Sequence, residues 1–416
     1  MRTARVWRLL LGVEHTVIEA AGLEGEGAEE VLVARVRPTR SRRGRCSRCG
    51  SRCRGYDRGA GRRRWRTLDV GTVKAYLEAD APRVECAEHG VVVAAVPWAR
   101  AGARFTTCFE DMCAWLTAHT AGSVVAELLR VTWRSVTGIV ARVVADRAGR
   151  TDALAGLRRI GIDEIAHRKG HRYLLVVVDH DTGRVVWADK GRYAATLRRF
   201  FDALGPERAG LLTHVSADGA EWIHTVVAER ASNAVLCLDP FHVVAWATKA
   251  LDDVRRSTWN ALRSAGRSDT ANTLKKSRWA LVKNPEDLTG AQRTTLASIA
   301  VTNKELYRAY LLKEQLRAVF HTKAEQGLQL LAGWLSWARR SRLPAFVTLA
   351  RTIERYRPLI LNTLEHGLSN ARSEATNTHL RVLTRRAYGF HSAEALIAMA
   401  MLTRGGLCPE LPRRPS

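Results

Sequence analysis

The chain has 416 residues, enough for two or three domains with separate cores. No apolar run approaches the roughly 20 residues that span a bilayer, so the reading is of a protein that is not embedded in a membrane. Sixty-six Lys and Arg face 41 Asp and Glu, a formal charge of +25, and a surplus of that size points to a polyanion, because neutralised phosphates release counterions. An arginine-rich genome would spread the surplus evenly. Here it is clustered: residues 34–70 are saturated with Arg, while 151–245 are closer to balanced. Gly, Pro and Ser in that basic stretch argue against an amphipathic helix lying on a lipid surface.

Residues 1–37 read as a β-rich lead-in, with "EEVLVARVRP" alternating at strand period. The start, "MRTARVWRLLLGVEH", lacks a signal-peptide core and reads as a strand or helix of the mature protein. Without a secretory signal, the eight cysteines do not suggest a disulfide framework. Residues 38–97 carry two knuckles, "CSRCG" with Cys46 and Cys49, and "CAEHG" with Cys86 and His89. Tetrahedral zinc needs four N or S ligands, and two residues three apart on a tight turn reach one ion. Gly50 and Gly90 follow the knuckles, where the backbone must turn sharply. Cys53 is a spare thiol that competes with Cys49, and free cysteines are the plain alternative. The segment is read as a zinc ribbon with a structural zinc, and its Arg62, Arg63, Arg64 and Arg66 as DNA contacts.

Residues 98–150 read as a helix-turn-helix. In "SVVAELLRVTWRSVTGIVARVV" the apolar Val124, Val125 and Leu128 precede a break near Val131 and Thr132, after which Val136, Ile139 and Val140 share a face. Thr132, Trp133, Arg134 and Thr137 would then face a DNA groove. An ordinary helical hairpin has the same pattern. A linker, "RAGRTDALAGL", follows at 147–157.

From 158 to 242 the order is strand, strand, strand, helix, strand, helix, strand. This predicts an α/β fold: a ribonuclease H-like mixed sheet with flanking helices, the first part of a catalytic core at 151–244. Asp163 is expected to end the first strand and Asp218 the fourth. Those strands are neighbours in such a sheet, so both carboxylates can face one site. Two-metal phosphoryl chemistry needs such a pair, holding Mg²⁺ ions about 4 Å apart. Taken alone, Asp163 reads equally as a surface carboxylate. Glu164, Asp179 and Asp181 keep structural readings beside the site and at a hairpin turn.

Residues 245–366 are helical throughout, rich in Trp, Arg and Lys, with Pro285 and Pro344 as interruptions. Trp259, Trp279, Trp334 and Trp337 are candidates to stack on a flipped base or to pack in the core. Residues 367–404 read as two helices around Tyr388-Gly389-Phe390, returning to the catalytic core, and 405–416 as a tail. In the first helix Asn370, Glu374, Asn377, Arg381 and Arg385 fall at helical spacing. Glu374 is the candidate third metal ligand, with Asn377 and Arg381 as phosphate neighbours; a solvated helix face is the alternative.

The segments "GIDEIAHRKGHRY", "VSADGAEWI", "NAVLCLDPFHVVAWATKALDDVRR" and "SNARSEATNTHLRVLTRRAYGF", in this order after the knuckles and the helix pair, resemble the transposases of insertion-sequence family ISL3 over nearly the whole chain. The resemblance implies that Asp163, Asp218 and Glu374 form a DDE triad, interrupted by a large all-helical insertion. It also matches Asp239 and His242 of "DPFH" to a C/D-x-x-H motif near the site. His89 stands where many relatives have Cys, and His ligates zinc equally well.

The implied activity is cut-and-paste transposition. Mg²⁺-dependent hydrolysis, with Mn²⁺ as a substitute, frees a 3′-OH that attacks target DNA without a covalent protein intermediate. Expected partners are double-stranded DNA (terminal inverted repeats and target) and further copies of the chain, as a homodimer or larger assembly. The expected location is the bacterial cytoplasm, on the nucleoid when bound. The rivals are a DNA-binding regulator without chemistry and a nuclease acting on RNA–DNA hybrids.

Overall fold

The computed structural model describes residues 2–168, 172–368, 371–386 and 392–411. These form two compact units, 1–153 with 383–416 and 154–382.

In the first unit, α1 (Arg2–Leu10) precedes β1 (Thr16–Glu24) and β2 (Val31–Pro38). Five short strands follow: β3 (Arg54–Asp57), β4 (Arg62–Val70), β5 (Val73–Asp80), β6 (Arg83–Cys86) and β7 (Gly90–Val93). They build two sheets, a four-stranded one in the order β1-β2-β5-β4 and a three-stranded one in the order β3-β6-β7. The β4–β5 hairpin thus leaves the cysteine-bearing segment to pair with the N-terminal strands, so residues expected as a separate lead-in share a sheet with residues between the knuckles. The cause is apolar patterning. Leu32, Ala34 and Val36 of β2 and Leu77 of β5 bury one face around Trp65, whose ring meets Trp98 edge-on at 5.6 Å.

Three helices follow, α2 (Thr107–His119), α3 (Gly122–Leu128) and α4 (Trp133–Ala148). Thr106 and Thr132 cap α2 and α4, each accepting a backbone N–H three residues on. Between α3 and α4 the chain turns at Arg130, whose φ of +52° is unusual for a residue with a side chain. Its guanidinium is held by Asp69 and, at 3.0 Å, by the Thr72 carbonyl. Within the helices lies a buried ion network. Glu110, fully enclosed, accepts from Arg100 at 3.2 Å and from Arg142 at 2.8 and 2.6 Å. Arg100 also reaches Asp111 at 2.6 Å and Asp146 at 2.8 Å.

The second unit opens with β8 (Arg159–Arg168), β9 (Arg172–Asp179) and β10 (Val185–Lys190), a meander of antiparallel pairs. Helices α5 (Ala194–Leu204) and α6 (Pro206–Ala209) lead to β11 (His214–Ala217), and α7 (Glu221–Arg230) to β12 (Val235–Leu238). The sheet order is β10-β9-β8-β11-β12, with β11 parallel to both β8 and β12. Leu174 to Val178 are all buried, as a strand covered on both faces requires. Ile160, Ile162 and Val215 meet Leu197 and Phe200 of α5 and Ile223 and Val226 of α7.

The rest of this unit is helical: α8 (Pro240–Ser264), α9 (Ser268–Lys276), α10 (Arg278–Val282), α11 (Gly290–Thr302), α12 (Lys304–Val319), α13 (Ala324–Arg340), α14 (Pro344–Arg355) and α15 (Arg357–His366). Pro285 lies in a short turn between α10 and α11, and Pro344 opens α14 at a position that needs no N–H donor. Trp334, fully buried, donates its indole N–H to the Leu312 carbonyl at 2.8 Å. α15 covers the edge strand: Asn362 and Thr363 donate to the carbonyls of Leu236 and Leu238 at 2.9 and 2.7 Å.

α16 (Ala371–Arg386) buries Thr376, Leu380 and Leu383 at helical spacing. α17 (Ala393–Arg404) was expected beside the catalytic core. It packs instead on α2 and α4 of the first unit, burying Leu396, Met399 and Leu402. Among the described residues no helix is long and apolar enough to cross a membrane.

The ion network gives a stability prediction. Glu110→Ala removes the buried carboxylate that pairs with Arg142 and one of the three acids around Arg100, and should lower unfolding free energy by about 3 kcal/mol, read by denaturant melts, whereas Glu229→Ala on the exposed Arg198 pair should change it by under about 1 kcal/mol.

Candidate active site, zinc cluster and DNA-facing surfaces

The site starts from strand register. β8 and β11 pair in parallel through Arg159 with His214, Ile160 with Val215 and Gly161 with Ser216. Continued two steps, past the end of β11 at Ala217, this register sets Asp163 level with Asp218, the residue after the strand. Asp163 does not end its strand, as expected, but lies within β8 opposite Val176 of β9. The reason is length: β8 runs on to Arg168 in its hairpin with β9, while β11 stops at Ala217. The open edge beside Asp163 is therefore made by the end of β11.

Alternation puts Ile160 and Ile162 into the core and Asp163 on the opposite face. Its Oδ1 accepts from the Glu164 N–H at 2.7 Å. Asp218 Oδ1 accepts from the Ala220 N–H at 2.9 Å, closing a tight turn after the strand. Asp239 is tied into the same edge, its N–H donating to the Ala217 carbonyl at 2.9 Å. Its buried carboxylate caps α8 through the Phe241 N–H at 3.1 Å and lies 3.7 Å from His242 Nε2.

Glu164 was expected only as a neighbour of the site. It is the group in which the local field is most visible. Burial pushes its carboxyl up to about 7; Arg192, ion-paired at 3.0 Å, opposes this, and Asp218 and Asp163 add to it. His242 acts weakly in the same direction as Arg192. Arg192 in turn stacks over Tyr173 at 4.7 Å. Three acids and two bases thus share one pocket of field, with oxygen as the main donor atom. A single sequence shows the "DE" pair but not the burial that separates the two roles.

Glu374 and Asn377 are on α16, but their side chains, like the whole of Asn370 and Tyr388 to Phe390, lie outside the described residues. Arg381 and Arg385 are exposed. Asp179 makes the expected turn, accepting from the N–H groups of Asp181 and Thr182 at 3.0 and 3.3 Å.

The zinc ligands meet as expected. The ligand atoms of Cys46, Cys49, Cys86 and His89 all lie within 4.8 Å of one another. Cys49 to Cys86 is 3.7 Å, Cys46 to His89 is 3.8 Å and Cys86 to His89 is 3.6 Å, matching the edges of roughly 3.7 Å that a tetrahedron with zinc–sulfur bonds of about 2.3 Å demands. Hydrogen bonds from Ser51 lower the Cys49 thiol to about 6, towards the thiolate that binds metal. Gly50 and Gly90 both take left-handed φ, +72° and +64°. Cys53 stays outside the cluster, its thiol donating to the Ser51 carbonyl.

The proposed DNA contacts divide by what they already hold. Arg62 and Arg64 are half exposed but paired with Glu78 at 3.0 and 2.8 Å, and Arg64 also with Glu24 at 2.6 Å. Arg63 donates to the Ala103 carbonyl at 2.6 Å. Arg66 is buried with Asp69 and lies over Tyr76 and Phe109. Arg63, Arg64 and Arg66 line a cavity of about 550 Å³ with Arg104. On α4, Thr132 is spent on the cap and Thr137 bonds the Trp133 carbonyl at 3.2 Å, whereas Trp133 and Arg134 face solvent. Of the four tryptophans considered for base stacking, Trp334 is core, and Trp259 and Trp337 pack against the same core. Trp279 is 56% exposed, with Arg278 over its ring at 5.0 Å.

Metal analysis should find stoichiometric zinc in the protein and in Cys53→Ser, and its loss in Cys86→Ser together with a lower melting temperature.

The sequence profile described as a transposase of family ISL3 matches residues 160–400. The profile for the zinc-finger of transposases IS204/IS1001/IS1096/IS1165 matches 42–89, and that for the helix-turn-helix domain of transposase family ISL3 matches 94–144. The transposase for insertion sequence element IS1557 in two Mycobacterium tuberculosis strains is 53% identical, over 100% of this chain and 98% of its own length. The transposase for insertion sequence element IS1001 of Bordetella parapertussis is 29% identical, over 84% of this chain and 86% of its own. The chain therefore belongs to the ISL3 family of insertion-sequence transposases, with a zinc ribbon and a helix-turn-helix ahead of its transposase domain.

Proposed function

We propose that the chain binds the terminal inverted repeats of its own insertion sequence and cuts and joins DNA by a DDE mechanism. Asp163, Asp218 and Glu374 are the metal-holding triad on a ribonuclease H-like sheet, and the helices of 245–366 are the insertion before the third acid. The observation that supports this reading is the β8–β11 register, whose continuation runs to Asp163 and Asp218, both of which act on the carboxyl of Glu164.

The donor set fits hard cations: the acids offer oxygen, and the like charges of Asp218 and Asp163, which add to the effect of burial on Glu164, are offset by added positive charge. Mg²⁺, with Mn²⁺ as a substitute, would there activate the attacking oxygen and stabilise the leaving one. The chain's own residues hold the geometry. Asp218 is fixed by its turn and Asp163 by the strand pairing. Arg192 neutralises Glu164 so that it does not repel the scissile phosphate. Asp239 and His242 orient the start of α8 beside the phosphate path, and Asn377 and Arg381 follow Glu374 along its helix as phosphate contacts.

The zinc ribbon of 38–97 and the helix-turn-helix of 98–150 bind the element's ends through Trp133 and Arg134 and through Arg62, Arg63 and Arg64. The lead-in of 1–37 supports them, 367–404 supplies the third acid, and 405–416 is a tail. Pairing two ends calls for a homodimer or larger assembly, acting in the bacterial cytoplasm on the nucleoid.

The test is cleavage of a labelled terminal repeat in Mg²⁺. Asp218→Ala and Asp163→Ala should abolish cleavage while binding the repeat as the wild type does; equal cleavage by either variant contradicts the triad. A regulator would bind without cutting, and a hybrid nuclease would cut RNA–DNA duplexes in preference. Trp279→Ala should weaken binding of flanking DNA by about tenfold, the loss of one stacking contact, with an unchanged melting temperature.

A further inference from the structure

The turn after β11 carries Asp218, and side chains from distant helices hold it. Tyr356, between α14 and α15, donates its hydroxyl to the Gly219 carbonyl at 2.8 Å across 137 residues of sequence. Arg355 donates to the same hydroxyl at 3.2 Å and lies over the ring at 4.9 Å. His224 of α7 places Nε2 2.9 Å from the Asp218 carbonyl, and since a carbonyl only accepts, that nitrogen carries the proton. Trp246 of α8 completes the wall, with its ring centre 5.5 Å from that of Tyr356, and His224 meets Tyr356 edge-on at 5.9 Å. The packing leaves no space: a methyl group at Gly219 would come within 2.7 Å of the Trp246 ring.

We propose that Tyr356, with His224 and Trp246, is a positioning residue that sets the Asp218 carboxylate and so couples the helical body to the reaction centre. Both carbonyls of the turn, Asp218 and Gly219, are held by side chains from outside the strand, while the carboxylate itself, among the described residues, accepts from the Ala220 N–H. The helix that continues from Tyr356 is fastened to β12 by Asn362 and Thr363, so the hydroxyl reaches the turn from an anchored base. A shift of the helical body would move the turn by way of these contacts. Metal-dependent chemistry tolerates little displacement of a ligand: holding it to within about 0.5 Å is what such a shell achieves, and an error of about 1 Å can cost about a hundredfold in rate.

This inference rests on Asp218 as a metal ligand, and the experiment separates the two. Terminal-repeat cleavage is measured against Mg²⁺ concentration for the wild type, Tyr356→Phe, His224→Ala, His224→Gln and Asp218→Ala, with repeat affinity and melting temperature alongside. Tyr356→Phe should raise the Mg²⁺ needed for half-maximal rate by about tenfold and recover in saturating Mg²⁺ or in Mn²⁺, with affinity and melting temperature unchanged. His224→Ala should do the same, and His224→Gln, whose amide can donate, should restore much of the loss. If Asp218→Ala is inactive but Tyr356→Phe shows wild-type Mg²⁺ dependence, the positioning role is wrong and the triad stands. If Asp218→Ala cleaves normally, both fail. A Tyr356→Phe protein that loses rate equally at every Mg²⁺ concentration and melts earlier has lost only a structural residue, which also overturns the proposal.

Discussion

The parallel pairing of β8 with β11 is the constraint on which the second unit depends. It joins a meander, which forms from local contacts, to a strand that can arrive only after a helical crossover. The join is made by the buried pair Ile160 and Val215, and it carries the two aspartates as passengers: once the apolar residues are in register, Asp163 and Asp218 have no freedom to be apart. The approach of the two acids, which repel each other, is therefore specified by the core. Glu164 is lifted to about 7 first by its burial, with Asp218 and Asp163 adding to it in spite of an arginine at 3.0 Å.

The first unit depends on different forces. Its sheets are small, and the three-stranded one is mostly exposed, so a zinc ion held by Cys46, Cys49, Cys86 and His89 would stand in for a core it lacks the residues to build. The helices beside it use a buried ion network around Glu110, and Asp69 links the sheet to the helix-turn-helix by binding Arg66 and Arg130 together. Much of the arginine surplus in 62–66 is thus answered by Glu24, Asp69 and Glu78. The positive excess that remains includes Arg134, exposed at the start of α4.

What the sequence displayed and what it hid follow from the range of the interactions. The zinc ligands were legible because knuckle spacing is local, and the meander because its strands are contiguous and apolar. Thr132, expected to face a DNA groove, instead caps α4, because a threonine ahead of a helix satisfies the first free N–H groups locally. Asp163 was placed at a strand end because hairpin length depends on the partner strand, which alternation along β8 does not report. Lys313 in "KELYRAYLLKEQLRAV" looks like a solvated residue, yet it is buried, donating to the carbonyls of Leu281 and Lys283 at 3.1 Å. Neither this nor the reach of Tyr356 to Gly219 has a local signature. The return of α17 to the first unit was equally hidden, since an apolar helix face does not name what it covers.

The claim that Asp163 and Asp218 hold one metal between them can be tested without DNA or turnover. Fe²⁺ bound in place of Mg²⁺ generates hydroxyl radicals under ascorbate and peroxide, and these cut the polypeptide beside the ion. The account predicts fragments ending near both Asp163 and Asp218, and the loss of both cuts in either Asp163→Asn or Asp218→Asn. A cut near one aspartate alone, or one that survives removal of the other acid, would contradict it.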